Sequence, residues 1–338
     1  MHIGDTITIA PYSSSTEALA LAVREGLRND PKSLPCSLFY DDIGSKLFQK
    51  ISELPEYYLT AAEHSIIFTY AEDLGIFCDS EPPGRPFRLI ELGPGDGRKI
   101  FPLLHALLER PCTFTYEPID ISNGAITQLL KSLRAEFDET KLDVRAIVAD
   151  YFSGLARVNI DRTTRNVIVW LGSSIGNLTD KEADEFLFRL WYNLNHDDVV
   201  IIGFDLRKNP AVIRDAYDDP GGVTREFNLN LLRRINRELG ADFTPHAFDH
   251  RPIYNSKIHA MESWLVNREY RLVTIPTIRE KFSFERGEKM LLEISRKYSE
   301  EEIEAFALRG GFAIEQTFYD EKRYFADSVW KVVKPHRL

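Results

Sequence analysis

Apolar residues recur at Leu19, Val23 and Leu27, the spacing of one helical face. Ser14-Ser15-Thr16-Glu17 stands before that run as a capping box, and Pro31 and Pro35 end it. A second helix is predicted over residues 45–51, stopping before Leu54-Pro55. Thr60-Ala61-Ala62-Glu63 also has capping-box form and predicts a helix through about Leu74. Glu81-Pro82-Pro83-Gly84-Arg85-Pro86 then breaks the pattern at the surface.

From Phe87 the period changes. Short apolar runs at residues 87–92, 114–119, 144–148, 167–171 and 199–204 read as strands. Helical patterns separate them, with Ile126, Leu129, Leu130 and Leu133 on one face and Thr179-Asp180-Lys181-Glu182 capping another. Such alternation predicts a parallel sheet with helices on both faces, an α/β doubly wound core from about Phe87 to Asp205. Beyond it the rhythm breaks. Residues 210–239 are helical in pattern, interrupted at Asp219-Pro220-Gly221-Gly222, and strand-like runs follow at 259–266, 270–275 and 281–284. A helix capped at Ser299 precedes strands at 312–318 and 324–333. The stretch from Asp205 to about Met290 is therefore a candidate second lobe of α+β character.

Length fits two lobes: 338 residues with 43% hydrophobic content can bury an ample core. A net charge of −10 argues against a chain built to coat nucleic acid or anionic membrane. Cys36, Cys78 and Cys112 are odd in number and widely spaced, which suits reduced thiols rather than a disulfide framework. Residues 1–12 lack a signal-peptide pattern, and no apolar run approaches the ~18 residues of a membrane span. A cytoplasmic location is the expectation. His246 and His250 have H-x-x-x-H spacing, but Ala247 stands where a zinc protease carries glutamate, so no metal is expected.

Glu91-Leu92-Gly93-Pro94-Gly95 lies where the first strand of the core turns into a helix. Glycines there let backbone approach a ligand closely and present helix N–H groups to it. The loop could hold a dinucleotide or S-adenosylmethionine. Arg98 interrupts the full G-x-G-x-x-G of dinucleotide sites, so the methyl donor is favoured. Asp120, at the end of the second strand, could accept from both ribose hydroxyls. Asp150, at the end of the third, could read the adenine amino group. Each is equally open to being a turn or cap residue.

Several blocks resemble the histidine Nα-methyltransferases of ergothioneine biosynthesis. They are Leu38-Phe39-Tyr40-Asp41-Asp42-Ile43-Gly44-Ser45, Leu54-Pro55-Glu56-Tyr57-Tyr58 and Leu171-Gly172-Ser173-Ser174-Ile175-Gly176-Asn177-Leu178. Ala216-Tyr217-Asp218-Asp219, Phe227-Asn228, Asn236-Arg237-Glu238-Leu239 and Gly287-Glu288-Lys289-Met290-Leu291-Leu292-Glu293-Ile294-Ser295 continue the likeness in the family's order. Composition and periodicity do not show that activity; the resemblance implies it.

The resemblance implies a Rossmann-like class I methyltransferase core over residues 60–206 and 294–338, with a substrate-binding lobe over 10–59 and 207–293. It implies transfer of methyl groups to the α-amino group of free L-histidine, up to the betaine hercynine. By motif, Asn177, Tyr40 and Tyr217 would hold the amino and carboxylate groups as the catalytic set. Tyr57, Glu293 and Ser295 would hold the imidazole, with Gly172 and Phe227 lining the pocket. Glu91, Gly93, Gly95, Asp120 and Asp150 fall on cofactor positions. Ser263 departs from the family, standing where some members carry methionine against the ring. No partner beyond the amino acid is expected, and the chain is taken as a monomer.

The same residues have plainer readings. Tyr40, Tyr57, Tyr217 and Phe227 could be ordinary core aromatics, and Glu293 and Ser295 a surface face of a strand. Two functional rivals follow: an N-methyltransferase for another aromatic amino acid such as a tryptophan derivative, or a non-catalytic cofactor- or amino-acid-binding protein.

Overall fold

A computed structural model describes residues 6–9, 16–79, 85–138, 140–157 and 164–335. The chain opens with strand β1 (Thr6–Ile9), helix α1 (Thr16–Arg28), short strand β2 (Lys32–Ser33) and helices α2 (Asp42–Ser52), α3 (Tyr58–Thr69) and α4 (Ala71–Cys78). Strand and helix then alternate: β3 (Phe87–Leu92), α5 (Phe101–Glu109), β4 (Phe114–Asp120), α6 (Asn123–Glu136), β5 (Asp143–Val148), α7 (Tyr151–Arg157), β6 (Arg165–Trp170), α8 (Asp180–Asn193) and β7 (Val199–Asp205). Helices α9 (Pro210–Asp215) and α10 (Val223–Leu239) lead into strands β8 (Phe248–Asn255), β9 (Ala260–Asn267), β10 (Arg271–Ile275), β11 (Glu280–Phe284) and β12 (Lys289–Arg296). Helix α11 (Glu300–Gly310) and strands β13 (Phe312–Tyr319) and β14 (Phe325–Val332) complete it.

The fold divides into two compact units. One contains β1, Leu59–Arg207 and the chain from Lys297 onward; the other contains α1 through Tyr58 and Lys208–Arg296. In the first, eight strands form one sheet in the order β1-β5-β4-β3-β6-β7-β14-β13. The strands β1 to β7 of this sheet pair in parallel, and β14 and β13 close the edge antiparallel. This is the α/β Rossmann-like class I methyltransferase architecture. Strands buried on both faces read as unbroken apolar runs, as Val199–Asp205 does with every residue buried. The order reverses at β3, which has β4 on one side and β6 on the other. The carboxyl ends of strands at such a switch point are where open α/β sheets hold ligands.

In the second unit β2, β12, β9 and β8 form a four-stranded sheet, with β10 and β11 as a separate hairpin. One face of β9, at Met261, Ser263, Leu265 and Asn267, is buried. Leu265 belongs to a core shared with Leu19, Val23 and Leu27 of α1 and Phe227, Leu231 and Ile235 of α10.

Some local readings need correcting. Thr60–Glu63 is not a capping box: α3 begins earlier, at Tyr58, so Glu63 lies inside the helix with no exposed surface. The helix also stops at Thr69, and α4 restarts at Ala71. Strand β8 was not predicted, because Phe248-Asp249-His250-Arg251-Pro252 has no period-two alternation. The proposed Ser14 cap lies outside the described residues. The boxes at Thr179/Glu182 and Ser299/Glu302 are both formed.

Candidate functional site

Two loops of the first unit leave the sheet side by side, after β3 and after β6, since Glu91 and Val169 are paired across those strands. The β3 loop folds tightly: the Gly93 amide donates to the Ile119 carbonyl at 2.8 Å, and Gly93 and Gly95 have φ +70° and +59°. A Cβ at Gly93 would sit 2.7 Å from the Tyr151 hydroxyl, whereas one at Gly95 would meet nothing within 4 Å. The backbone there faces open space, as a cradle for a bulky ligand requires. Asp120 stands at the end of β4, and burial pushes its carboxyl up to about 6 against backbone hydrogen bonds from Ser122, Gly95 and Ile121.

Asp150 stands two residues past β5 as the cap of α7, its Oδ1 accepting from the Phe152 and Ser153 amides at 3.0 Å each. Its Oδ2 accepts from the Ser153 hydroxyl at 2.5 Å. A carboxylate has about four lone-pair directions, so capping does not exhaust it. Glu91 is different. It is buried, its carboxyl takes the Tyr116 hydroxyl, and burial raises it to about 8.

The β6 loop carries Gly172 and Asn177. Gly172 and Ser173 take left-handed φ of +77° and +54°, a rare pair that reverses the chain into a single turn, Ser174–Asn177. Three contacts pin it. Gly172 donates its amide to both carboxylate oxygens of Glu63, at 2.7 and 2.9 Å. Ser173 Oγ accepts from the Asp205 amide at 2.9 Å, and the Tyr298 hydroxyl donates to the Ile175 carbonyl at 3.2 Å. Lys99 pairs with Glu63, and its Nζ lies 3.7 Å from where a Gly172 Cβ would be. Burial alone would lower the Lys99 pKa, but the Glu63 charge raises it, so Lys99 is a cation beside the loop.

In the second unit an unbroken run of aromatic rings joins the predicted residues. Tyr40 meets Phe227 at 5.9 Å and Phe48 at 5.7 Å; Phe48 meets Tyr57 at 6.1 Å, and Tyr57 meets Tyr217 at 6.3 Å. The Tyr217 hydroxyl, buried, donates to Ser295 Oγ at 2.7 Å. Glu293, two residues away, accepts from Ser263 Oγ at 3.1 Å.

A bulge in β12 makes that face possible. Leu291 pairs with Trp264 and Glu293 with Ser263, so Leu292 is an extra residue in the ladder. Residues paired across a ladder share a face, so Met290 before the bulge and Glu293 and Ser295 after it all turn the way of buried Leu265, Ser263 and Met261. A regular strand with Met290 and Leu292 inward would point Glu293 and Ser295 outward.

The motif aspartates act as fasteners. Asp41 caps α2 through the Gly44 amide at 2.7 Å and ties it to α10 by Asn230 at 2.8 Å and Arg237 at 2.5 Å, fixing neighbouring Tyr40. Asp219 caps α10, accepting from the Val223 and Thr224 amides at 2.8 Å, which sets Tyr217 between two helices. Although burial raises it, those amides hold Asp219 below the usual carboxylate range. Sequence reasoning missed Glu63, Lys99 and Phe48. Glu63 looked like a cap, and nothing local marks Lys99; Phe48 carried a signal only through its place on an amphipathic helix.

Among the described residues no group of three or more His, Cys, Asp or Glu could hold a metal, and no helix is long and apolar enough to cross a membrane. Residues 19–332 match a family model described as "Histidine-specific methyltransferase, SAM-dependent". The chain is 36% identical over 309 residues to a histidine N-alpha-methyltransferase of Mycolicibacterium smegmatis, covering 90% of this chain and 93% of the relative. A histidine N-alpha-methyltransferase of Mycobacterium tuberculosis is 35% identical over 312 residues, covering 92% and 94%. Ergothioneine biosynthesis protein 1 of Schizosaccharomyces pombe is 29% identical over 300 residues, covering 86% of this chain and 38% of that longer protein.

Proposed function

The chain belongs to the histidine-specific, S-adenosylmethionine-dependent methyltransferases, and from that premise we propose that it methylates the α-amino group of free L-histidine in the cytoplasm, continuing to the trimethylated betaine hercynine. It is an amino-acid N-methyltransferase, and S-adenosylmethionine is its cofactor. When bound, that cofactor supplies an electrophilic methyl on a sulfonium. The β3 loop fits it: the space over Gly95 gives room, and Asp120 offers two acceptors to a ribose. Lys99 is a suitable cation for the cofactor's carboxylate.

Transfer needs a neutral amine whose lone pair is aimed, and positioning alone can supply up to roughly 7–11 kcal/mol. Asn177 both donates and accepts, so it orients the amine without adding charge. Tyr40 and Tyr217 hold the α-carboxylate, and their rings exclude water. As methyl groups accumulate the nitrogen becomes a fixed cation, which aromatic faces stabilise by about 0.5–2 kcal/mol. The amine's proton leaves to water, since the motifs contain no lysine or histidine suited to be the base. A pH–rate profile that follows the substrate's own amine supports this, and one governed by a group on the enzyme contradicts it.

Tyr57, Glu293 and Ser295 read the imidazole, and Phe227 lines the space beside Tyr40 and Phe48. The observation that carries the reading is the run from Tyr40 to Ser295, with Glu293 beside it on one strand face. An acid and a hydroxyl there match the two ring nitrogens of histidine. Ser263 holds Glu293 through its hydroxyl in place of filling the pocket. Incubating the purified chain with S-adenosylmethionine and each of the twenty amino acids, with mass-spectrometric detection, tests the whole. Histidine should give mono-, di- and trimethylated products; a different preferred acceptor, or none, overturns the reading.

A further inference from the structure

Glu63 is the least expected residue near the β6 loop. It comes from α3, has no exposed surface, and both its oxygens receive one backbone amide, that of Gly172. A buried carboxylate is costly unless its lone pairs and charge are matched. Lys99 matches the charge. Another neighbour is Asp327 of β14, which pairs with Gly203 of β7. A Cβ on Gly203 would fall 2.2 Å from Glu63 Oε1 and 3.2 Å from Asp327 Oδ1, so the two carboxyl groups crowd one glycine.

Asp327 is itself fully buried, and neither of its oxygens receives a hydrogen bond from a donor among the described residues. Two adjacent carboxylates facing one ammonium leave an unbalanced buried charge. A carboxylic acid at 327 removes that charge and supplies a donor for Glu63. Burial first, and then the charge of Glu63, drive the Asp327 pKa well above the carboxylate range.

We propose that Glu63 is a positioning residue for methyl transfer: it grips the Gly172 amide and so fixes the turn that carries Asn177, with Lys99 and a protonated Asp327 matching its remaining lone pairs. The proposal rests on the amine-orienting role given to Asn177. Its logic is geometric. Ser173 is a non-glycine residue held left-handed, at a cost glycine does not bear, and Glu63 supplies a two-oxygen hold on the amide of Gly172 directly before it. Gln at 63 keeps one acceptor but loses the charge for Lys99 and puts an amide donor where an acceptor is needed.

The test compares the wild type with Glu63→Gln, Gly203→Ala and Asp327→Asn, all as the full chain. Hydrogen exchange followed by mass spectrometry reads the 171–178 segment directly, and steady-state kinetics read histidine turnover. Glu63→Gln should speed exchange of that segment at least tenfold and lower kcat by about 10- to 100-fold, as a misplaced reacting group does. KM for histidine should change less than threefold. Gly203→Ala displaces Glu63 without altering its chemistry and should reproduce both effects, so the question stays decidable if Glu63→Gln does not fold. Asn at 327 donates where the acid does and should stay within about threefold of wild type in both readouts. Wild-type exchange or undiminished kcat in Glu63→Gln and Gly203→Ala overturns the proposal. A loss in Asp327→Asn equal to that in Glu63→Gln overturns the proton assignment. Were the wild type to methylate no amino acid, the functional reading would fail, while the exchange data would still decide whether Glu63 holds the turn.

Discussion

Asp120 accepts amides from its own loop and is held near pH 6 by burial, so in the proposed cofactor site it is a titrating ligand for a ribose. Above that pH the carboxylate offers acceptors to two hydroxyls; below it one oxygen carries a proton. Cofactor affinity should therefore fall as pH drops through about 6. Asp120→Asn should flatten that dependence and weaken binding about 10- to 100-fold, the loss of a charge-assisted hydrogen bond; calorimetric titration across pH 5–8 measures both. In the proposed reading Glu293 acts on selectivity. Its removal should erode the preference for histidine over tryptophan far more than it slows transfer, because the polar match to the ring is what discriminates. Equal relative rates for the two amino acids in Glu293→Ala and wild type would contradict this. Ser263→Ala frees Glu293 from its 3.1 Å partner, and should raise KM for histidine several-fold with kcat little changed.

Strand β12 shows how an element can serve two masters. Before the bulge its inward residues build core; after it they turn Glu293 and Ser295, the proposed recognition pair, to the same face, and Leu292 is the extra residue at the change of phase. Leu292 is buried, so Leu292→Ala should cost about 2–5 kcal/mol in urea unfolding. Helix caps behave more locally. Ser299 accepts the Glu302 amide at 3.3 Å and Glu302 reaches back to the Ser299 amide at 2.9 Å, so Ser299→Ala should lose about 1 kcal/mol without changing substrate preference.

For the whole molecule, Glu91 links stability to pH. Its folded carboxyl is raised by burial to about 8, while an unfolded glutamate titrates near ~4.3. Its protonated form is the one the fold accommodates, so its contribution is intact below the unfolded value and is lost as pH rises through about 8. Glu91→Gln should be more stable than wild type at pH 8–9 by on the order of a few kcal/mol, with the gain vanishing near pH 4–5. Thermal unfolding at those two pH values checks the sign. His250 works the other way: burial lowers it to about 4, so its neutral form is favoured and stability falls as pH drops from about 6.5 towards 4.

Local order is what the sequence determined alone. The switch from helical to strand period at Phe87, the glycines after β3 and the boxes at Thr179 and Ser299 are all short-range facts, written within a few residues of where they act. The family motifs added the order of the blocks. What only the tertiary structure decided is which distant groups meet. Glu63 and Gly172 are 109 residues apart, Tyr217 and Ser295 are 78 apart, and the phase of β12 depends on its ladder with β9. A buried carboxylate and a surface cap have the same local sequence; desolvation, which distinguishes them, exists only once the chain has closed around the side chain.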